Sequence, residues 1–308
     1  MLRHLILLAA LASPAAAQDM SAADCDALVT KLRDVVSSLP VTFGGGGVDQ
    51  GQCVLQQVGY KSERPGGPQW QADSVAIRGA SPAGPFAETG LLTSLSIDIG
   101  GLTIAPDFPD PMPAHLAGVP PYLRGIDASV GLNWDSTDQS LSVSRLLVDF
   151  PGEDKLDLTA RMINVDASSP GSAMVGLASF LVTDAEIKIT SRGLFATLVT
   201  AALGPNAAAD DAARKAAING AQKDATSVIS QLPGTTFSLG SKSALRTLVA
   251  DLPDPVGTLR IKLQSDAGIG PASLMRYALN GAPATMEDLQ PLFDGLKVDV
   301  AWPRALGQ

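Results

Sequence analysis

The chain is poor in the side chains that most often carry chemistry. Its 308 residues include two cysteines and two histidines, and aromatic residues make up only 5% of them. It has no Gly-x-Ser-x-Gly sequence, no His-Glu-x-x-His sequence and no Ser-x-x-Lys sequence followed by Lys-Thr-Gly. It also has no calcium loop of the alternating Asp-x-Asp type. These absences predict a protein that is not an enzyme and that uses no metal or cofactor.

Basic residues are scarce as well. Lys and Arg number 22 against 31 Asp and Glu, which gives a formal net charge of −9. Nucleic acids and anionic membrane surfaces are bound through basic patches, so we expect neither to be a primary partner. No apolar run after the N-terminus approaches the ~20 residues of a transmembrane helix. We therefore expect no transmembrane segment in the mature chain.

The N-terminus has the three parts of a secretory signal peptide in order. A basic start at Met1–His4 precedes the apolar run Leu5–Ala12, and the small residues Ala15–Ala17 stand before Gln18. The alternative is an ordinary N-terminal helix. We expect residues 1–17 to be removed and the mature protein to lie in an oxidising compartment, preferably the periplasm.

The two cysteines, Cys25 and Cys53, are expected to form a disulfide, because an even number of cysteines in an exported chain favours one. Two free thiols or a metal pair are the alternatives, and the metal has little support because His115 is the only histidine of the mature chain. Cys25 lies on the apolar face of a helix predicted at 21–39, so the bridge would attach this helix to a strand around Cys53. The run Gly44–Gly47 between them is expected to be a flexible connector.

Three successive runs between residues 126 and 165 alternate apolar and polar side chains with a period of two, as half-buried strands do. In the second run, Ser140–Phe150, the apolar positions change phase, which predicts a β-bulge around Arg145. One apolar and one polar face is typical of antiparallel sheets. The sequence therefore predicts an α+β fold, an antiparallel β-meander sheet that is curved and has one face covered by helices from the C-terminal half.

The remaining patterns divide the mature chain into parts of different character. An N-terminal helix, a β-rich part and a helix-rich part with returning strands are predicted at 21–39, 52–190 and 191–303. Helices at 193–203 and 206–232 are the candidates for covering the sheet. Because the late strands are expected to return to that sheet, we predict a single α+β domain over 18–308.

An apolar segment supplies the first candidate site. Residues 193–203 are apolar nearly all round, which is typical of a buried helix or of one that seeks an interface. Four of its side chains are candidate lining for a cleft that binds an apolar ligand: Leu194, Phe195, Leu198 and Val199. Their alternative role is to fill the core.

A proline-rich loop supplies the second candidate site. Residues 105–125 form a connection longer than structural loops usually are. The loop contains Asp107, Asp110 and His115, which are residue types that bind metals or transfer protons. The alternative is that all three are ordinary surface loop residues.

The residue patterning of part of the chain resembles that of uncharacterised exported proteins of alphaproteobacteria, which combine a β-meander with alanine-rich helices. The stretches concerned are Leu92–Ile104 and Ile126–Ile189, followed by Gly193-Leu-Phe. The same stretches are distantly similar to the β-rich periplasmic segments of AsmA-like envelope proteins. This resemblance covers about half of the chain and involves no shared motif residue. It implies a curved sheet that contacts lipid or an envelope partner.

These observations predict a periplasmic, non-enzymatic binding or scaffold protein of the cell envelope that binds an apolar ligand such as lipid. One alternative is a module that binds another envelope protein through an exposed strand edge or the 105–125 loop. A second alternative is an envelope enzyme whose site contains Asp107, Asp110 and His115.

Overall fold

An antiparallel sheet contains most of the residues that the structure describes. The computed structural model describes residues 19–36, 41–62, 69–80, 93–105, 123–166, 172, 176, 179–193, 211–271 and 292–303. The strands are β1 (Val41–Thr42), β2 (Gly46–Asp49), β3 (Gln52–Lys61), β4 (Gln69–Ala80), β5 (Ser94–Ala105), β6 (Leu123–Asp135), β7 (Ser140–Asp149), β8 (Lys155–Ile163), β9 (Leu181–Ser191), β10 (Gly257–Ile269) and β11 (Leu296–Ala301). The longer helices of the described part are α1 (Ala22–Val36), α2 (Asp211–Gln231) and α3 (Leu239–Ala250).

The strands follow one another across an open sheet almost in chain order. From β3 to β11 each strand pairs with the next, always antiparallel, while β1 and β2 both pair with β3. The two late strands, β10 and β11, join the same sheet beside β9. The predicted α+β fold with an antiparallel meander sheet is confirmed.

The predicted bulge in β7 is also present. Gly131 of β6 pairs with Arg145, but the next residue, Leu132, pairs with Val143, so Ser144 is an extra residue without a partner on β6. The same two residues, Ser144 and Arg145, interrupt the pairing of β7 with β8. A bulge of this kind bends a strand, which is consistent with the curved sheet.

One face of the sheet carries an unbroken row of apolar side chains, which we call the apolar ladder. Its members are directly paired from strand to strand, so they lie on one face, and side chains one residue away point to the other face. They are Cys53, Ile77, Ile97, Val130, Leu146, Leu158, Ile187, Ile261 and Val300. The face that bears them is the apolar face of the sheet.

The described helices lie near the two ends of the sheet. α1 contacts β2 and β3, α3 contacts β11, and α2 packs on α3. The prediction of a helix at 206–232 corresponds to α2. Residues 194–203 of the other predicted covering helix lie outside the described residues. No helix in the described part of the chain is long and apolar enough to span a membrane.

Gly46 has a specific role in the packing of α1, and here the prediction of a flexible glycine connector is wrong. Gly46 and Gly47 belong to β2 and pair with Leu55 and Val54 of β3. A Cβ atom on Gly46 would lie 2.7 Å from the side chain of Val29 in α1. The glycine therefore allows the helix to approach the sheet.

Candidate functional site

A disulfide and an apolar contact surface hold α1 on the sheet. Cys25 of α1 is bonded to Cys53 of β3, with 5.1 Å between their Cα atoms, which confirms the predicted bridge. Cys25, Leu28 and Val29 are buried and form the underside of the helix. The helix starts with reciprocal hydrogen bonds, since the amide of Asp24 donates to Ser21 Oγ and the amide of Ser21 donates to the Asp24 carboxylate.

An apolar cavity of about 430 Å³ lies where the end of α1 meets the apolar face, and we call it the α1 cavity. Eleven of the described residues line it, and none of these has a polar side chain apart from the indole nitrogen of Trp70. They come from α1, the β1–β2 segment, β3, β4 and β5: Leu32, Val41, Phe43, Leu55, Val58, Trp70, Val75, Ile77, Ile99, Leu102 and Ile104. The cavity therefore offers almost only dispersion and hydrophobic contacts.

Several lining side chains keep part of their surface exposed. Leu55 and Val58 are buried at 3% and 8% relative exposure, whereas Leu32, Phe43 and Trp70 are only partly buried. Partly exposed large apolar side chains that converge on one hollow differ from the isolated apolar residues found on most protein surfaces. Within the described part of the chain, the cavity is thus an apolar surface that other groups do not fully cover.

Two ring contacts border the α1 cavity. The ring of Trp70 stacks on Tyr60, with 6.4 Å between centroids and 16° between planes. The guanidinium carbon of Arg33 lies 5.7 Å from the centroid of the Phe43 ring. A cation from the last turn of α1 therefore lies beside a ring that lines the cavity.

Two further depressions have polar linings. One, of about 720 Å³, is lined mainly by polar residues such as Gln71 and Thr103 together with Lys61, Arg124 and Asp73. Gln71 and Thr103 pair directly across β4 and β5, so their side chains lie on one face of the sheet. The other depression, of about 260 Å³, is serine-rich. Among the described residues that line these two depressions there is no histidine or cysteine.

The resolved pKa shifts belong to ion pairs away from the α1 cavity. The pKa of Glu186 falls to about 2 because Arg260, and next Lys188, hydrogen-bond to its carboxylate. The pKa of Asp138 is lowered, first by a hydrogen bond with Ser140. No group of three or more His, Cys, Asp or Glu side chains suited to a metal occurs among the described residues. The ion pairs and hydrogen bonds of Glu186 and Asp138 therefore stabilise the folded state of the sheet.

Seven of the nine predicted site residues lie in parts of the chain that the structure does not describe. Leu194, Phe195, Leu198 and Val199 lie outside the described residues, and so do Asp107, Asp110 and His115. Both proposals for these residues stay predictions. The sequence did not predict the α1 cavity, although part of its lining comes from two predicted elements, the helix at 21–39 and the strand around Cys53.

No protein-family model, no curated protein and no solved structure matches the chain.

Proposed function

We propose that the protein is a periplasmic, non-enzymatic binding protein of the cell envelope and that it holds an apolar ligand, the acyl chain of a lipid, in the α1 cavity. The observation that carries this proposal is the cavity itself, about 430 Å³ in volume and lined by eleven apolar residues. Small-molecule sites typically have volumes of ~300–1,000 Å³ and mostly apolar linings. The cavity has both properties.

The energetics of the lining favour a hydrocarbon. Each methylene group that moves from water into the cavity contributes about 0.8 kcal/mol to binding. The lining has no charged group, so a bound hydrocarbon leaves no buried charge without a partner. The apolar surface also continues beyond the cavity. Val75 and Ile99, which line it, are paired in register with Ala128 and Val148 farther along the sheet.

Export supports the envelope as the place of action. The N-terminal sequence has the pattern of a signal peptide, and the Cys25–Cys53 disulfide is typical of oxidising compartments. The disulfide also holds the helix that borders the cavity. An oxidising compartment therefore favours ligand binding in this proposal, because a reduced chain would lose one attachment of α1 to the sheet.

The proposal predicts quenching of Trp70 by a bound chain. A terminally brominated dodecanol in the α1 cavity brings bromine into contact with Trp70, so tryptophan fluorescence should fall in a saturable manner. The other two tryptophans make hydrogen bonds elsewhere, Trp134 to the Val165 carbonyl and Trp302 to Asp251. Trp70→Phe should therefore remove most of the quenching while leaving the protein folded.

A matched pair of variants tests the location of the bound chain. Val75→Phe adds bulk inside the cavity, whereas Val148→Phe adds the same bulk on the same apolar face but outside the lining. We expect Val75→Phe to weaken binding at least tenfold, a change of about 1.4 kcal/mol, and Val148→Phe to change it little. Equal losses in both variants, or unsaturable quenching of the unmodified protein, would contradict the proposal.

A further inference from the structure

Arg33 stands at the rim of the α1 cavity. It follows Leu32, which lines the cavity, and its guanidinium lies 5.7 Å from the ring centroid of Phe43, which also lines it. The side chain is exposed, so its charge is in water while the adjoining rings and chains are apolar. A positive charge is thus fixed where an apolar ligand would enter.

No carboxylate among the described residues forms an ion pair with Arg33. A guanidinium that lies over an aromatic ring keeps its N–H groups directed outward in the plane, where they can donate two parallel hydrogen bonds to a carboxylate. Arg33 therefore has the geometry to bind an anionic headgroup, with donors that no carboxylate in the described part of the chain occupies.

The lining excludes the headgroup from the interior. Because the eleven lining residues provide no charged side chain, a charged or strongly polar headgroup has to stay at the rim. The chain as a whole carries a net charge of −9, which disfavours anions in general. Arg33 therefore provides a local positive charge that can pair with a negative headgroup.

From these observations we propose that the ligand is an anionic single-chain amphiphile, a long-chain fatty acid, whose hydrocarbon lies in the α1 cavity and whose carboxylate binds Arg33. This inference rests on the proposed function and adds the chemical class of the ligand. A cavity of about 430 Å³ is in the lower part of the usual range of ~300–1,000 Å³, which favours one chain over two.

Arg33 also has a structural role that the test has to separate. It lies in the last turn of α1, where a cation stabilises the helix dipole, and it contacts Phe43. A purely structural role would alter the melting temperature or weaken the binding of every ligand equally. A headgroup role would alter the preference between a carboxylate and a neutral headgroup on the same chain.

The experiment compares dodecanoate with dodecanol at pH 8 and low salt, below their aggregation concentrations, by competition with the brominated probe. We expect the unmodified protein to bind dodecanoate about fivefold more tightly than dodecanol, as for a partly exposed ion pair, with a smaller preference at high salt. Arg33→Gln should bring the ratio to about one, because it weakens dodecanoate binding far more than dodecanol binding, and Arg33→Lys should keep part of the preference.

Lys31→Gln is the matched control, because Lys31 lies two residues away on α1, on another side of the helix, and its substitution removes the same charge. It should leave the ratio unchanged. Equal affinities in the unmodified protein, equal losses for both ligands in Arg33→Gln, or the same loss of preference in Lys31→Gln would each overturn this inference while leaving the proposed function intact. Failure of both ligands to bind would overturn the proposed function as well.

Discussion

Ser241 connects the start of α3 to the last strand of the sheet. Its side chain is fully buried, and its Oγ accepts a hydrogen bond of 3.0 Å from the amide of Val300. The amide of Ser241 in turn donates to Ser238 Oγ, the N-cap of the helix. One small hydroxyl therefore satisfies a backbone group of β11 that would otherwise be buried without a partner.

Ser241→Ala should lower the free energy of unfolding by about 1–3 kcal/mol, because the Val300 amide loses its acceptor and stays buried. Urea denaturation followed by circular dichroism measures the change. Ser243→Ala is the matched control, since Ser243 is exposed on the same helix and should change stability by less than about 0.5 kcal/mol. Equal effects of the two substitutions would show that the hydrogen bond to Val300 contributes nothing.

The ion pair of Glu186 with Arg260 should make the stability of the protein depend on pH. Arg260 contacts its carboxylate through two hydrogen bonds of 2.9 and 3.0 Å, which with Lys188 lower the pKa from 4.5 to about 2. Because the folded pKa lies below the unfolded one, the stabilisation is complete above the unfolded value and disappears as the pH falls through the folded value. The pair is at the surface, so the effect is small.

We therefore expect Glu186→Gln to lower the denaturation midpoint slightly at neutral pH. The difference from the unmodified protein should shrink between about pH 5 and about pH 2. In an Arg260→Gln background the same substitution should have less effect, which a double-mutant cycle by chemical denaturation measures. A difference that persists unchanged at about pH 2 would contradict this assignment.

At the scale of elements, the attachment of α1 depends on the disulfide. Cys25 and Cys53 are 28 residues apart, and closing a loop of that length stabilises the folded state by about 3–4 kcal/mol on the chain-entropy account. The double replacement Cys25→Ala and Cys53→Ala should cost an amount of that order. It should also weaken binding of the brominated dodecanol, because Leu32 and Arg33 would be held less firmly over the sheet.

Urea denaturation and probe titration of the double variant measure both effects. Reduction of the unmodified protein with dithiothreitol is the control that leaves every side chain in place except the bond itself. Unchanged binding after an observed loss of stability would mean that α1 stays in position through its apolar underside alone. The disulfide would then have no part in the site.

Elements with a strong local pattern were predictable from the sequence. The alternation between Ile126 and Met162 predicted strands that the structure confirms, and the phase change near Arg145 predicted the bulge. The short strands β1 and β2 were not predicted. Glycine has no side chain to show alternation, and the strand character of Gly46 and Gly47 arises from pairing with β3 and from the close approach of α1.

At the scale of the whole molecule, the α1 cavity could not be predicted from the sequence. Each lining segment carries an ordinary apolar pattern, and the hollow appears only when α1, β3, β4 and β5 are placed side by side in one register. Strand order and register depend on pairing between distant residues, which periodicity along the chain does not encode. The predicted lining at Leu194 and its neighbours came from local hydrophobicity alone.

The two edges of the sheet, at β3 and at β11, test the alternative function, which is recognition of a protein partner through an exposed strand edge. On one side, β1 and β2 cover the outer edge of β3, and with two and four residues they are short, as protected edges often are. On the other side, the segment from Thr236 to Ser241 covers β11. The Val298 amide donates to the Thr236 carbonyl at 2.9 Å and the Val300 amide to Ser241 Oγ at 3.0 Å.

This arrangement predicts slow hydrogen exchange at an edge where an open strand would exchange quickly. The amides of Val298 and Val300 should be protected, whereas that of Leu239, the first residue of α3, should exchange fast because its N–H precedes the helical hydrogen-bonding pattern. Exchange of backbone amides followed by NMR measures all three. If Val298 and Val300 exchanged as fast as Leu239, the β11 edge would be open to an added strand and recognition of a protein partner would become the better explanation of this sheet. Slow exchange would mean that the β11 edge is closed to an added strand, which favours binding at the apolar face over recognition at this edge.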